Sequence, residues 1–301
     1  MMEDGGGVGD VHYRFTPVAG GEKLEFLDKD TLQNLEQWGM LGGLRRHRFA
    51  YTGKFETYKA QDYFTEMVNS RDVQYALQVM SGASSGFCRL SSLGCQDAMH
   101  VAVKELSATV TDLTFFDRIA DTDTGQCLIS PSGTFKQPNI FDRMPDDPDS
   151  FDLVRMMLAC DHSPHKDLYS MPERQELIFR IFYHLVLGGA ICQYDESLQR
   201  YMSTTAAIYG KLVTPYKNPD SQDQRILLRA HAFELCVKAS ADDGQCILPG
   251  TAPAADSLTL DLSDGGGTVS SPSFAYAIVE PLRKQVTVFS FDRRAGSWND
   301  E

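Results

Sequence analysis

The chain has 301 residues, 42% of them hydrophobic, and a formal net charge of −13. That length and apolar content allow a sizeable core, in one large or two small domains. The excess of acid argues against nonspecific binding to nucleic acid or to an anionic membrane, and no apolar run approaches the roughly 20 residues of a membrane span.

Residues 1–10 are rich in Gly and Asp with nothing to bury, and predict a disordered tail. An N-terminal α+β portion follows over 11–130. Val11 to Phe15 alternates as a strand does. Asp28 or Asp30 can cap a helix carrying Leu32, Leu35, Trp38 and Met40, with Gly42-Gly43 to end it. Arg46 to Tyr51 reads as a strand. Gln61 to Val68 and Val73 to Met80 read as short helices, with a Gly/Ser turn after them. Phe87 to Leu90 and Met99 to Val103 read as strands, Leu113 to Ile119 as a helix, and Cys127 to Ser130 as a further strand.

Residues 131–150, with Met144-Pro-Asp-Asp-Pro-Asp-Ser150, predict a loop and a boundary. Beyond it, 151–301 holds a helix pair and a C-terminal sheet; the alternative is one compact domain overall. Phe151 to Ala159 predicts a short amphipathic helix. From Ser170 the chain shows a capping box with Glu173, a proline in the first turn, and a run whose polar residues form one narrow stripe. So thin a stripe requires cover on most sides, which makes Ser170–Leu187 the central helix. Gly188-Gly189 stops it. After a short crossing, Asp195 can cap a second helix carrying Leu198, Tyr201, Met202, Thr205, Ile208, Tyr209 and Leu212, closed before Pro215. Ile226 to Val237 has period-2 alternation with a one-residue slip, the mark of a bulge. Residues 240–272 are small, polar and glycine-rich, and predict a flexible insertion. Phe274 to Val279 and Val286 to Phe291 predict a hairpin. The sum is an α+β fold: a buried central helix pair beside a C-terminal antiparallel meander, with a mixed N-terminal portion.

No group of residues makes a recognisable catalytic constellation. Cys160-Asp-His162-Ser-Pro-His165 supplies three zinc-type ligands, but the spacing fits no standard site and reads better as a polar loop. Cys192 and His184 are the one nucleophile-and-base candidate pair; nothing in the residues orients them, and a buried structural cysteine is the simpler reading. The seven cysteines, Cys88, Cys95, Cys127, Cys160, Cys192, Cys236 and Cys246, form no CxxC pair, and the start of the chain lacks an apolar signal segment. These features predict free thiols in a reducing compartment. Gly188-Gly189 lacks the context of a phosphate loop. Asp146, Asp147 and Asp149 lack the spacing of a calcium loop. Arg45-Arg46-His47-Arg48 is a basic spot that reads as a solvated face or a contact for an acidic partner. Tyr194-Asp195-Glu196 places carboxylates at a helix start, where the backbone dipole favours them. Neither cofactor nor metal is expected.

The stretch His184-Leu-Val-Leu-Gly-Gly-Ala-Ile-Cys-Gln-Tyr-Asp195, with Thr204-Thr205, Ile208-Tyr209, Leu212-Val213 and Lys217-Asn218-Pro219 behind it, closely resembles the cilia- and flagella-associated protein 300 family. Tyr13-Arg14-Phe15, Gln37-Trp38-Gly39-Met40-Leu41-Gly42, Phe115-Phe116-Asp117-Arg118 and Val279-Glu280-Pro281-Leu282-Arg283 match in the same order. Residues 131–150 and 239–272 depart from the pattern. The resemblance implies a non-enzymatic adaptor in the assembly or transport of outer and inner axonemal dynein arms, needed for ciliary motility; the alternatives are an enzyme of unrecognised type using Cys192 and His184, or a stable structural component of the axoneme. It implies residence in the cytoplasm and along the axoneme, and as partners dynein arm assembly factors of the PIH type, dynein arm subunits or intraflagellar transport machinery. It carries no catalytic residues over. An adaptor needs exposed apolar or aromatic anchors; the candidates are Trp38, Met40 and Leu41, with Tyr194 and Asp195.

Overall fold

In the computed structural model the strands β10 (Phe274–Glu280) and β11 (Gln285–Phe291) read FAYAIVE and QVTVFSF. Runs with so little charge form strands only where both faces are covered. They make the expected hairpin and sit at the middle of an antiparallel sheet. The order is β1 (Phe15–Pro17), β2 (Leu44–Tyr51), β11, β10, β8 (His231–Lys238), β5 (His100–Leu106), with β9 (Cys246–Leu248) also paired to β8. The structure describes residues 13–20, 24–81, 86–93, 98–121, 127–138, 152–160, 163–189, 192–217, 226–239, 246–248 and 273–296.

Each face of the sheet has its own helical layer. On one face Phe49, Tyr51, Val286, Val288, Ala277, Phe233 and Leu235 pack with Tyr63, Phe64 and Met67 of α2 (Ala60–Asn69) and Val73 of α3 (Arg71–Ala76). On the other, Leu44, Phe289, Phe291, Phe274, Tyr276 and Ile278 pack with α6 (Leu177–Leu187), every residue of which is buried. Behind α6 lie α1 (Lys29–Gln37), α4 (Leu153–Ala159) and α7 (Leu198–Leu212). The architecture is therefore the expected α+β arrangement of a buried central helix beside a C-terminal antiparallel meander. Strands from both sides of residues 131–150 share the one sheet.

Several elements differ from the sequence reading, each for a local reason. The first strand begins at Phe15 and runs on to Pro17; Tyr13 and Arg14 precede it, and Val11 and His12 lie outside the described residues. α1 is capped by Asp28, whose carboxylate accepts from Thr31 N, but it ends at Gln37; the turn is made by Gly39 (φ 67°) rather than Gly42-Gly43. The helix read over Val73 to Met80 stops at Ala76, and β3 (Gln78–Met80) then pairs with β4 (Phe87–Arg89). Leu113–Ile119 winds as a 3-10 helix, and Cys127 to Ser130 keeps only one bridge, Ile129 to Phe135.

The run from Ser170 forms two helices, not one. The capping box of Ser170 and Glu173 starts α5 (Met171–Arg174), and a break precedes α6. The chain there pairs with the segment after β5: Ser107 N donates to Gln175 O at 3.1 Å and Leu177 N to Ser107 O at 2.7 Å. The Glu176 carboxylate takes Thr109 N at 3.0 Å and Thr109 Oγ1 at 2.5 Å. These long-range bonds replace the helical bonds that would have bridged 175–177.

The phase slip, which falls between Ala232 and Phe233, is not a bulge: β8 keeps unbroken register there with β10 and β5, and both its faces are buried, Ala232 on the α6 side and Phe233, Leu235 and Val237 on the α2 side. β7 (Ile226–Leu228) pairs with β6 (Pro215–Lys217), and the chain then enters the large sheet as β8; the register shift along β8 lies at Val237/Lys238. Within 240–272, the Cys246–Leu248 strand buries Ile247 and Leu248 against α2's side of the sheet; the rest of that segment lies outside the described residues. Arg45–Arg48 is no solvated face. It lies in β2, an inner strand, with Arg46 and His47 buried.

Two outcomes test this architecture. Phe182, fully buried and 4.7 Å from the Phe116 ring, should cost roughly 2–5 kcal/mol when cut to Ala, read from denaturant melts; a loss under about half a kcal/mol would contradict a covered α6. The second concerns His47. Burial, then the nearby Arg45 charge, push its imidazole down to about 4 from 6.5. The unfolded chain therefore binds the proton more readily, so His47's contribution to stability is present above pH 6.5 and is lost as pH falls towards 4. NMR titration should find the ring neutral at pH 6; an ordinary midpoint near 6.5 would contradict its burial.

Candidate functional site

The two stretches singled out above, Gln37–Gly42 and His184–Asp195, meet in space. α6 closes at Gly188, whose φ of 67° and ψ of −172° belong to glycine alone. Gly189 then runs against the turn after α1. Its N–H donates to Trp38 O at 2.8 Å, and a Cβ built on it would stand 2.1 Å from Gly39 O. Four residues on, Gln193 N donates to Gln37 O at 2.9 Å. Two backbone bonds thus fasten the 188–195 crossing along the end of α1.

Arg155 of α4 supports the crossing from inside. It is 3% exposed, and its guanidinium is fully engaged. Nε donates to Val186 O at 3.1 Å, Nη2 to Asp195 O at 3.1 Å and to Tyr201 Oη at 2.8 Å, and Nη1 pairs with the Asp152 carboxylate. Burial, the largest single influence, would lower its pKa; Asp152, Tyr201 and Cys192 together outweigh that and raise it. Its guanidinium carbon lies 4.4 Å from the Tyr194 ring centre. Tyr201 of α7, hydrogen-bonded to Arg155, stacks on Trp38 at 4.2 Å and on Phe135 at 5.5 Å. At the outer rim Arg200 pairs with the Asp195 carboxylate and donates to Asn34 Oδ1 and, at 2.8 Å, to Gln37 Oε1. Asn34 Nδ2 reaches Thr204 Oγ1 at 2.9 Å. One polar seam therefore joins α1 and α7.

This geometry corrects part of the sequence reading. Trp38 and Met40 are 0% and 1% exposed, so they are core residues and present nothing outward. They point in because the turn at Gly39 folds the chain back onto Gly189, and Tyr201 takes the indole face. Leu41 is half-buried. Tyr194, at 43% exposed, is the aromatic that reaches the surface. Asp195 is not the cap of α7; Ser197 stands there, and Asp195 Oδ1 accepts from its N–H at 2.7 Å.

Among the described residues no hydrogen bond joins Cys192 to His184. His184 Nε2 shares a 2.7 Å hydrogen bond with Tyr276 Oη, and its ring lies 4.2 Å from Phe274. Cys192 packs at Gly188, and burial pushes its thiol up to about 12 against the pull of Arg155. A thiol so placed stays protonated at neutral pH and is a poor nucleophile. Cys160 follows α4 and His165 opens the next 3-10 turn; His162 lies outside the described residues. Arg155 and Tyr201 were not singled out from sequence as a pair. The signal for Arg155 was there, a lone cation inside the apolar run LVRMMLA.

What the fold and this junction define is a mixed α+β protein in which α1, α6 and α7 meet in a closely packed junction. The model of the family described as cilia- and flagella-associated protein 300 matches residues 12–291. The chain belongs to that family and is a cilium- and flagellum-associated protein. The Chlamydomonas reinhardtii protein of that description is 27% identical over 278 residues, which is 91% of this chain and 95% of the relative. The Paramecium tetraurelia protein of the same description is 26% identical over 208 residues, 69% of this chain and 75% of the relative. No solved structure matches.

The junction makes a paired prediction. Gly189→Ala drives a methyl into the Gly39 carbonyl and should cost roughly 2–4 kcal/mol. Gly210→Ala, on an open face of α7 with nothing within 4 Å, should instead stabilise by about 0.5–1 kcal/mol. Equal effects of the two, read from urea midpoints, would contradict the close approach.

Proposed function

We propose that this protein is a non-enzymatic adaptor that helps assemble or transport the outer and inner dynein arms of motile cilia. The observation that carries the reading is the family match across nearly the whole chain. The geometry supports it from another side. The stretches on which the family resemblance was read are spent on a packed junction, with Cys192 held as a thiol and His184 tied to Tyr276. The protein then acts through its surface, in the cytoplasm and at the axoneme, and its partners are dynein arm assembly factors of the PIH type, dynein arm subunits or intraflagellar transport machinery. Tyr194, lying over Arg155 at the edge of the junction, is the anchor kept from the sequence candidates.

Electron microscopy of axoneme cross-sections from a null strain tests this. Cilia should be present, with both rows of arms reduced and motility poor. A Cys192→Ala protein that stays folded should restore the arms as the wild type does. Normal arms in the null strain would end the adaptor reading, and failure of folded Cys192→Ala to rescue would favour an enzyme.

A further inference from the structure

Arg46 and Arg48 stand two residues apart on β2 and so project from the same face of the sheet. On β11, Phe289 lies opposite Arg46 and Thr287 opposite Arg48. Arg46 is 6% exposed, Thr287 is 8% exposed, and Arg48 is half-buried. The Arg46 guanidinium lies flat-side partner to Phe26, 3.7 Å from the ring centre. A buried guanidinium normally meets a carboxylate or gives its donors to carbonyl oxygens, as Arg155 does with four different groups. Arg46 has neither arrangement. Among the described residues no acid pairs with it, and its Nε, like that of Arg48, is buried without a hydrogen-bond partner. The two charges also feel each other. Burial first, then the Arg48 charge, bring Arg46 down to about 10, and no carboxylate offsets either effect.

Two adjacent cations that pair with no acid among the described residues are a costly arrangement in a protein unless something anionic joins them. We propose that Arg46 and Arg48 form a binding site for a phosphate-type dianion, with Phe26 fixing the Arg46 guanidinium and half-buried Arg48 at the entrance. A guanidinium offers paired N–H donors that match the oxygens of phosphate. Two of them match a charge of about −2, whereas a single carboxylate would neutralise one and leave the other. The Thr287 hydroxyl, across from Arg48, adds a neutral group able to donate to the same ligand. The phosphate can be free in solution or carried on a phosphorylated side chain of a partner; both present the same chemistry to the arginines. This site is independent of the ciliary reading above.

The test uses the full chain in a phosphate-free, low-salt buffer. Sodium phosphate, a short Gly/Ser peptide carrying one phosphoserine, and the same peptide without phosphate are titrated by calorimetry, with melting temperature measured alongside. The wild type should bind phosphate saturably, its melting temperature should rise with phosphate concentration, and the unphosphorylated peptide should do nothing. Arg48→Gln should weaken binding about tenfold, the loss of one charge-assisted group. Arg46→Met keeps the apolar stem against Phe26 and removes an unpaired buried charge. Without phosphate it should melt no lower than wild type, and it should lose the phosphate-dependent rise. A phosphopeptide bound tighter than inorganic phosphate points to a phosphorylated partner; equal or weaker binding points to the free anion, and either supports the site. No saturable phosphate binding by the wild type would overturn it. So would Arg48→Gln binding as tightly as wild type, or Arg46→Met melting lower while keeping its response to phosphate.

Discussion

The structure depends on one approach that side chains cannot make. Gly189 comes so close to the Gly39 carbonyl that a Cβ would stand 2.1 Å from the oxygen, and its N–H bonds Trp38 O across the gap. Only two glycines let the end of α6 touch the end of α1 backbone to backbone. From that contact much of the helical layer is set. The 188–195 crossing must run along α1, which brings Gln193 N to Gln37 O and delivers Tyr194 and Asp195 to Arg155 and Arg200. α7 then starts beside α1 and can lay Tyr201 on Trp38. Arg155 fixes the crossing by spending all its nitrogens on groups that burial would otherwise leave unpaired.

What could be read from the sequence was what repeats at short range. The thin polar stripe of α6, the spacing along α7, the Ser170 capping box and the C-terminal hairpin all sit in local patterns. What could not be read depended on distant partners. The break before α6 comes from Ser107 and Thr109, about seventy residues earlier in the chain. Trp38 faces inward because Tyr201, 163 positions on, offers a ring to stack on; from α1 alone the turn could face either way. Arg46 and His47 look like surface by type, but β2 became an inner strand when β11 paired with it. The phase slip at Ala232-Phe233 was visible, but its cause, a strand buried on both faces, was not.

Two of the stretches on which the family resemblance was read from the sequence also hold the junction. Gln37–Gly42 and His184–Asp195 touch one another, and Trp38, Met40 and His184 to Leu187 among them are buried in the core. The junction leaves Tyr194 at its rim and the open face of α7 as the surface beside it. A site built from cations on β2 would add a second, chemically distinct point of contact on the same body.

Native-state amide hydrogen exchange tests the central claim, that the end of α1 and the 188–195 crossing open only when the whole protein does. The Gly189 and Gln193 amides, bonded to Trp38 O and Gln37 O, should exchange as slowly as the amides inside α6, with the protection set by global unfolding. Fast exchange of these two amides while α6 stays protected would show the crossing to be loosely attached, and would contradict the account.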